Sequence, residues 1–268
     1  MDIISRAKHR NLVQFLGYSL MGPETLLVYE YLPNNSLDHK LFDSERKKEL
    51  DWQKRLTIIK GVAEGLQYLH HCCEGKIIHR DIKASNILLD VRCRPKIADF
   101  GLVRSFSAED SHRTTGIAGT LGYMAPEYIA RGILSEKVDV YSFGILMLEI
   151  ISGKRNNKFS SADSVDTLVT AVWKHFQSGT LTQVVDESMD VNDIEEVRRV
   201  GQVALLCTQE IPSLRPTLTM VSKWLRQKDL EVPEPSKPPF LNEIGEYFLP
   251  SDSSLFCQSE TKKNVEPR

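Results

Sequence analysis

Three short phrases in a fixed order constrain this chain more than anything else in it. Residues 79–86 read His-Arg-Asp-Ile-Lys-Ala-Ser-Asn, Asp99-Phe100-Gly101 begins thirteen residues after Asn86, and Ala125-Pro126-Glu127 closes the stretch. Each residue has a plain reading by itself. Asp81 could sit in a turn, Lys83 could be a surface charge, Asn86 could cap a strand, and a lone Asp-Phe-Gly carries little weight. All of them in this order and at these spacings leave chance a very small share.

The residue types can serve phosphoryl transfer. Phosphoryl transfer needs positioning, a group beside the attacking hydroxyl, and cations that neutralise charge on the phosphates. Asp81 is placed to accept or orient a hydroxyl proton. Lys83 can reach a transferring phosphate. Asn86 and Asp99 supply the hard oxygen ligands that magnesium takes together with substrate phosphates. Gly101 permits a sharp backbone turn after Phe100.

The rest of the chain reads as a few strands followed by helices. Leu12 to Leu20 and Glu24 to Tyr31 are apolar, strand-like runs joined by the turn signal Met21-Gly22-Pro23. Pro33-Asn34-Asn35 breaks the pattern, and Asn34-Asn35-Ser36 reads as a turn although it matches a glycosylation sequon. Ser36 is expected to cap a short helix carrying Leu37 and Leu41, and Asp43 to Glu49 to form a solvated loop of mixed charge. Asp51 looks like the N-cap of a helix whose apolar residues, Leu56, Ile59, Val62, Ala63, Leu66 and Leu69, recur every three to four positions. Ile87 to Leu89 and Pro95 to Ala98 are short strands around a tight turn at Asp90. Ser135 caps a buried helix that ends at Gly153. Its apolar run, Val138 to Ile151, holds Asp139 and Glu149 and is too short to span a bilayer. Further helices are expected over Val165 to Phe176, Ile194 to Cys207, and from Pro216 to about Leu225. From Glu231 onward Pro, Ser, Glu and Lys accumulate, the composition of a largely disordered tail.

Charge and cysteines exclude some classes. The formal net charge of −2 gives no basic stripe for nucleic acid. Five cysteines, Cys72, Cys73, Cys93, Cys207 and Cys257, are odd in number and follow no metal-ligand spacing, which fits reduced thiols. No apolar segment follows Met1 as a signal peptide would require. A cytoplasmic chain without a membrane segment is expected.

The ordered phrases resemble the catalytic and activation segments of protein kinases. Asp-Ile-Lys-Ala-Ser-Asn around Lys83, and Gly119-Thr120 before Tyr123-Met124-Ala125-Pro126-Glu127, resemble the serine/threonine branch. Asn11-Leu12-Val13-Gln14-Phe15-Leu16-Gly17, Leu27-Val28-Tyr29-Glu30-Tyr31-Leu32-Pro33-Asn34-Asn35-Ser36-Leu37 and Lys137-Val138-Asp139-Val140-Tyr141-Ser142-Phe143-Gly144 look like plant receptor-like kinases, most of all the cysteine-rich ones. The likeness covers roughly Met1 to Pro239. It implies an α+β, protein-kinase-like fold with a complete helical C-lobe and only a remnant of the β-rich N-lobe. Residues 1–32 would be that remnant and the hinge, 33–230 the C-lobe, and 231–268 the tail. The implied activity is ATP- and Mg2+-dependent phosphorylation of serine and threonine in signalling. Protein substrates or other receptor-like kinases would be its partners, and the parent family lies in the plasma membrane with the kinase domain in the cytosol.

The resemblance also assigns residues. Asp81, Lys83 and Asn86 are expected to be catalytic, with Asn86 and Asp99 on the metal. Tyr29 takes the gatekeeper position, the backbones of Glu30 and Leu32 the adenine-contacting hinge, and Leu88 the floor of the adenine pocket. Arg80 marks kinases switched by activation-loop phosphorylation, because an arginine pairs strongly with a phosphate. Ser105, Ser107, Ser111, Thr114, Thr115 and Thr120 are the candidate acceptors, Thr115 first. The Thr120 hydroxyl is expected to bond Asp81 and Lys83. Asp139 should hold the catalytic-loop backbone, and Glu127 and Arg215 should form a buried ion pair. The family's glycine-rich loop, its strand lysine and the partner glutamate would fall before Met1. The chain as written is therefore expected to be inactive or strongly impaired, with a truncated pseudokinase that binds proteins as the alternative.

Overall fold

A computed structural model describes residues 7–21, 24–71, 75–106, 112–156, 160–161, 164–165, 167–189 and 193–236. The chain opens as an antiparallel ribbon of β1 (Phe15–Ser19) and β2 (Leu26–Tyr29), shorter at both ends than the apolar runs suggest. Leu16, Leu26, Leu27 and Val28 of this ribbon are exposed. After a turn with Asn35 at φ 54° comes α1 (Leu37–Leu41). Ser36 precedes α1 as expected, but its hydroxyl donates to the Asp38 carboxylate at 2.6 Å instead of capping an amide.

The next helix, α2 (Trp52–His71), starts where Asp51 Oδ1 accepts from the Lys54 amide at 2.8 Å. Its glycines let other backbone approach: a Cβ at Gly65 would lie 2.9 Å from Ile97 Cδ1 and 3.0 Å from Asn11 O. Short strands follow: β3 (Lys76–Ile78), β4 (Ile87–Leu89), β5 (Pro95–Ile97), β6 (Arg104–Phe106) and β7 (Arg113–Thr114). The β4–β5 hairpin turns on Asp90, whose carboxylate accepts from the Arg92 and Arg94 amides at 2.8 and 2.9 Å. The hairpin is flanked on one side by residues 11–13, through Val13 N to Ile97 O, and on the other by 34–36, through Leu89 N to Asn35 O. The pairings β3 with β6, and β7 with β8 (Ile133–Leu134), join segments far apart in sequence. Nothing in the local pattern announces them.

After α3 (Pro126–Arg131), the chain builds its core on α4 (Glu136–Ser152), which runs from the Ser135 cap to Gly153 at φ 64°. Every residue from Val138 to Ser152 is buried. A helix apolar all round must be surrounded, and α2, α5 (Leu168–Gln177) and α6 (Ile194–Cys207) pack around it. The approach to α6 needs Gly144, where a Cβ would lie 2.7 Å from Thr208 Cγ2 and 3.0 Å from Ala204 O. Helix α5 begins later than its apolar pattern suggests. Thr167 caps it by accepting from the Thr170 amide at 3.2 Å, and Val165 pairs with Ser160 as a strand residue instead. The last helix, α7 (Leu218–Arg226), is capped by Thr217.

Residues 231–236 lie along α6. Gln202 Nε2 donates to the carbonyls of Val232 and Pro233 at 3.0 and 2.9 Å, and Gln209 Nε2 to that of Ser236 at 2.7 Å. The remainder of the expected tail, like Ser107, Ser111, Cys72, Cys73 and Cys257, lies outside the described residues. The α+β architecture expected from the sequence is the one observed. No helix among the described residues is long and apolar enough to cross a membrane.

Candidate active site

The site is built outward from Asp139, in the first turn of α4 and fully buried. Its carboxylate accepts from the His79 amide at 2.8 Å, the Arg80 amide at 2.9 Å and His70 Nε2 at 2.9 Å. Burial alone would push this carboxyl up. The His70 bond and the positive and amide partners outweigh it and hold the group below the ordinary carboxylate range. The same bonds fix Arg80 at φ 73°, a left-handed conformation that a side-chain-bearing residue adopts only when its surroundings enforce it.

That turn delivers Asp81 into a closed set of contacts. Thr120 Oγ1 donates to Asp81 Oδ1 at 2.7 Å, and Lys83 Nζ donates to the same hydroxyl at 2.9 Å. Lys83 Nζ also lies 2.8 Å from Asp81 Oδ2. Asn86 Nδ2, from the 3₁₀ turn Ala84–Asn86, reaches Asp81 Oδ2 and the Asp81 carbonyl, each at 2.9 Å. The Asn86 amide oxygen takes no part in these bonds. Asp81 is thus a buried carboxylate beside a cation, held at both oxygens.

Asp99 approaches along β5. The Ala98 amide donates to Asn86 O at 2.8 Å, and His79 Nε2 to Ala98 O at 3.1 Å. Phe100 meets the His79 ring edge-on, with centroids 5.3 Å apart. Asp99 itself stands at φ 65°, exposed, with the Gly101 amide on Oδ1 at 3.3 Å. Among the described residues no cation pairs with it. An exposed carboxylate without a cation, next to an asparagine whose oxygen takes none of the bonds around Asp81, is a donor set that magnesium accepts.

The expected hinge lies over the β4–β5 hairpin. Leu88, half-buried on β4, stands opposite Lys96 in the register. Leu32 is buried, and neither its amide nor the Glu30 carbonyl has a hydrogen-bond partner among the described residues. Tyr29 meets Phe15 edge-on at 5.6 Å. Burial, and after it the charge of Asp99, push its phenol up.

The remaining candidates fall around this centre. Arg80 is buried, and its guanidinium donates to Tyr128 Oη, to Leu102 O at 3.2 Å and to Gly116 O at 2.9 Å. The Thr115 hydroxyl donates to that same Gly116 carbonyl at 3.2 Å. Thr114 is exposed on β7, and the Thr120 hydroxyl is taken up between Asp81 and Lys83. Glu127 and Arg215 form a two-pronged pair, both distances 2.7 Å. Sequence reasoning passed over His70, His79 and Lys96. His79 heads the phrase of residues 79–86 and Lys96 lies in the expected strand Pro95 to Ala98, but neither setting assigned the side chain a partner. Only their partners, 69, 19 and 66 residues away, give them a role.

A sequence-family model described as protein tyrosine and serine/threonine kinase matches residues 1–225. Among curated relatives, cysteine-rich receptor-like protein kinase 2 of Arabidopsis thaliana is 56% identical over 250 residues, covering 91% of this chain and 38% of the relative. Cysteine-rich receptor-like protein kinase 46 of the same plant is 54% identical over 250 residues, covering 91% and 40%. Cysteine-rich receptor-like protein kinase 42 is 51% identical over 247 residues, covering 90% and 38%. The chain spans about two fifths of the length of these relatives.

Proposed function

The chain belongs to the protein tyrosine and serine/threonine kinase family, as a receptor-like kinase domain, and on that premise we propose that it transfers the γ-phosphate of ATP to serine or threonine hydroxyls of protein substrates. The observation that carries the reading is the closed set Asp81, Lys83, Asn86 and Thr120 beside Asp99. Asp81 orients the incoming hydroxyl and takes its proton as the oxygen attacks. Lys83 faces the transferring phosphoryl group from the same side, and Thr120 holds base and lysine in one geometry. Asn86 and Asp99 would hold magnesium, which supplies neutralising charge at the phosphates when bound.

At the other end of the nucleotide, the Glu30 carbonyl and the Leu32 amide offer an acceptor and a donor to the edge of adenine. Leu88 lies beneath the base and Tyr29 guards the back of the pocket. Arg80 is the receiver for a phosphate on the activation segment, and Thr115, whose hydroxyl shares the Gly116 carbonyl with it, is the acceptor. Its relatives are named receptor-like protein kinases, so the work proposed is receptor-proximal signalling on protein substrates, with the plasma membrane as the setting that the family resemblance implies.

The test is magnesium-dependent transfer of labelled phosphate from ATP to the chain itself and to a generic basic protein, with Asp81→Asn alongside. Transfer that falls by at least about a hundredfold in Asp81→Asn, the usual worth of a positioned base, supports the reading and overturns the expectation of an inactive or strongly impaired chain. A folded wild-type chain that neither transfers phosphate nor binds magnesium–ATP overturns it in favour of a protein-binding module.

A further inference from the structure

We propose that Lys96 and the Glu30 side chain form a clamp that frees the Glu30 carbonyl for the base of the nucleotide and so sets a preference for adenine over guanine. The inference rests on the adenine-site reading above and adds to it the residues that make the site selective.

It starts at the end of the β1–β2 ribbon. After a bulge between Phe15 and Gly17 the ladder ends on Phe15 opposite Tyr29, and the bond from the Glu30 amide to Gln14 O sets Gln14 opposite Glu30 beyond it. A hydrogen-bonded pair in an antiparallel ladder exchanges two bonds, each amide meeting the other's carbonyl. Here only one half is made: the Glu30 amide donates to Gln14 O at 3.0 Å. The Gln14 amide turns to the Glu30 side chain and donates to Oε1 at 2.7 Å. The carboxylate has taken the place of its own carbonyl in the ladder. Among the described residues nothing donates to that carbonyl oxygen.

Lys96 holds the substitute acceptor. Its Nζ donates to the same Oε1 at 2.6 Å, with the two side chains only 19% and 24% exposed. A solvent-exposed lysine–glutamate pair is worth little. This one is largely withdrawn from water, and the oxygen it grips also carries a backbone amide, so charge and ladder geometry act on one atom. Lys96 stands opposite Leu88 and three residues before Asp99, and its Nζ also approaches Leu12 O at 3.5 Å. One lysine therefore ties the hinge to the β4–β5 hairpin, which floors the pocket through Leu88 and leads to Asp99.

The base edges decide what this does. Adenine carries an amino donor where guanine carries an oxygen acceptor. A carbonyl left free by the clamp accepts from the first and repels the second. A site built to make a hydrogen bond discriminates strongly against a ligand that cannot make it. Without the carboxylate, or without the lysine that grips it, the Gln14 amide reclaims the Glu30 carbonyl and the ladder closes over it.

The experiment compares MgATP and MgGTP binding by calorimetry in the wild type, Glu30→Ala and Lys96→Met. The wild type is expected to prefer ATP, and each variant to lose about tenfold of that preference, the worth of one hydrogen bond. Affinity for MgGTP should stay within roughly threefold, because the triphosphate contacts are shared. Equal losses for both nucleotides, or an unchanged ratio, overturn the proposal. A second readout needs no nucleotide: in a crystal structure of Lys96→Met the Gln14 amide should bond the Glu30 carbonyl instead of Oε1, while the Val13 amide stays on Ile97 O. A Gln14 amide still bonded to Oε1 in that variant refutes the clamp. A folded wild type that binds neither nucleotide overturns the adenine-site reading instead, so the two failures are told apart.

Discussion

Glu149 sits on α4 at 1% exposure, with Tyr123 Oη donating to Oε2 at 2.6 Å and the Asn156 amide to Oε1 at 2.9 Å. Burial pushes this carboxyl up to about 7, against an ordinary value of 4.5. Between those values the folded chain holds a proton that the unfolded chain has released, so stability falls as pH rises. The proton's contribution is complete below pH 4.5 and gone above about 7. It amounts to roughly 3 kcal/mol across that window. Urea unfolding of the wild type and of Glu149→Gln should therefore diverge by that amount between pH 4.5 and 7.5, the wild type weakening; parallel curves would sink the idea. At this scale the sequence was informative in one direction only. Asp81, Asn86 and Asp99 could be read because they fall in the ordered phrases that resemble the protein-kinase catalytic and activation segments. Glu149 told only that its helix does not cross a bilayer, because its partner Tyr123 stands 26 residues away and a buried carboxyl has no local mark. Lys96 and His70 were silent for the same reason.

Elements carry the same contrast between local and distant causes. Helix α6 matches its sequence boundaries residue for residue, and α4 begins and ends at Ser135 and Gly153, because periodicity and caps are local. The two-residue strands and the late start of α5 depend on partners that arrive only with the fold. The charged stretch from Asp43 to Glu49 is exposed as read, apart from half-buried Lys47, although Arg46–Glu49 form a 3₁₀ turn. Lys47 reaches out of it to Asp186 Oδ1 at 2.9 Å. Arg55, fully buried on α2, meets Asp186 Oδ2 at 2.7 Å and donates to Ile150 O at 2.8 Å near the end of α4. Asp186 thus joins the loop, α2 and the end of α4. Burial would raise its carboxyl, but the bonds from Lys47 and Arg55 pull it down to about 2. Removing the charge leaves Arg55 buried without its counter-ion. Asp186→Asn should destabilise the chain by roughly 3–5 kcal/mol at neutral pH, read from denaturant unfolding. The depressed carboxyl stabilises the fold above its unfolded value of 3.8 and loses that contribution as pH falls toward about 2. The gap between the two proteins should hold down to about pH 4 and narrow below it. A gap that instead widens on acidification would remove Asp186 from this role.

On the scale of the whole molecule, Arg80 is where segments distant in sequence meet. It belongs to the catalytic loop and bonds the carbonyl of Leu102 after the Asp99 turn, the carbonyl of Gly116 in the activation segment, and Tyr128 Oη on α3. All of these partners are neutral, and among the described residues no carboxylate pairs with it. A buried guanidinium satisfied only by dipoles keeps part of its desolvation cost. The Thr115 hydroxyl shares the Gly116 carbonyl with it, so a phosphate there would arrive within reach carrying nearly two negative charges. Charge-assisted bonds to a buried arginine are worth about 1.5–3 kcal/mol each. For a chain of this size one such bond raises the melting temperature by roughly 3–10 °C. Chain carrying phosphothreonine at position 115 should melt higher by that amount, and should exchange amides more slowly over 112–120, than unmodified chain. Arg80→Met should remove the gain while leaving the phosphate in place. A gain that survives Arg80→Met, or one reproduced by phosphate at exposed Thr114, would mean that the arginine does not receive the activation-segment charge. Loss of the gain with Arg80 would make one side chain the link between a modification on the surface and the Asp81 turn that Asp139 holds from below.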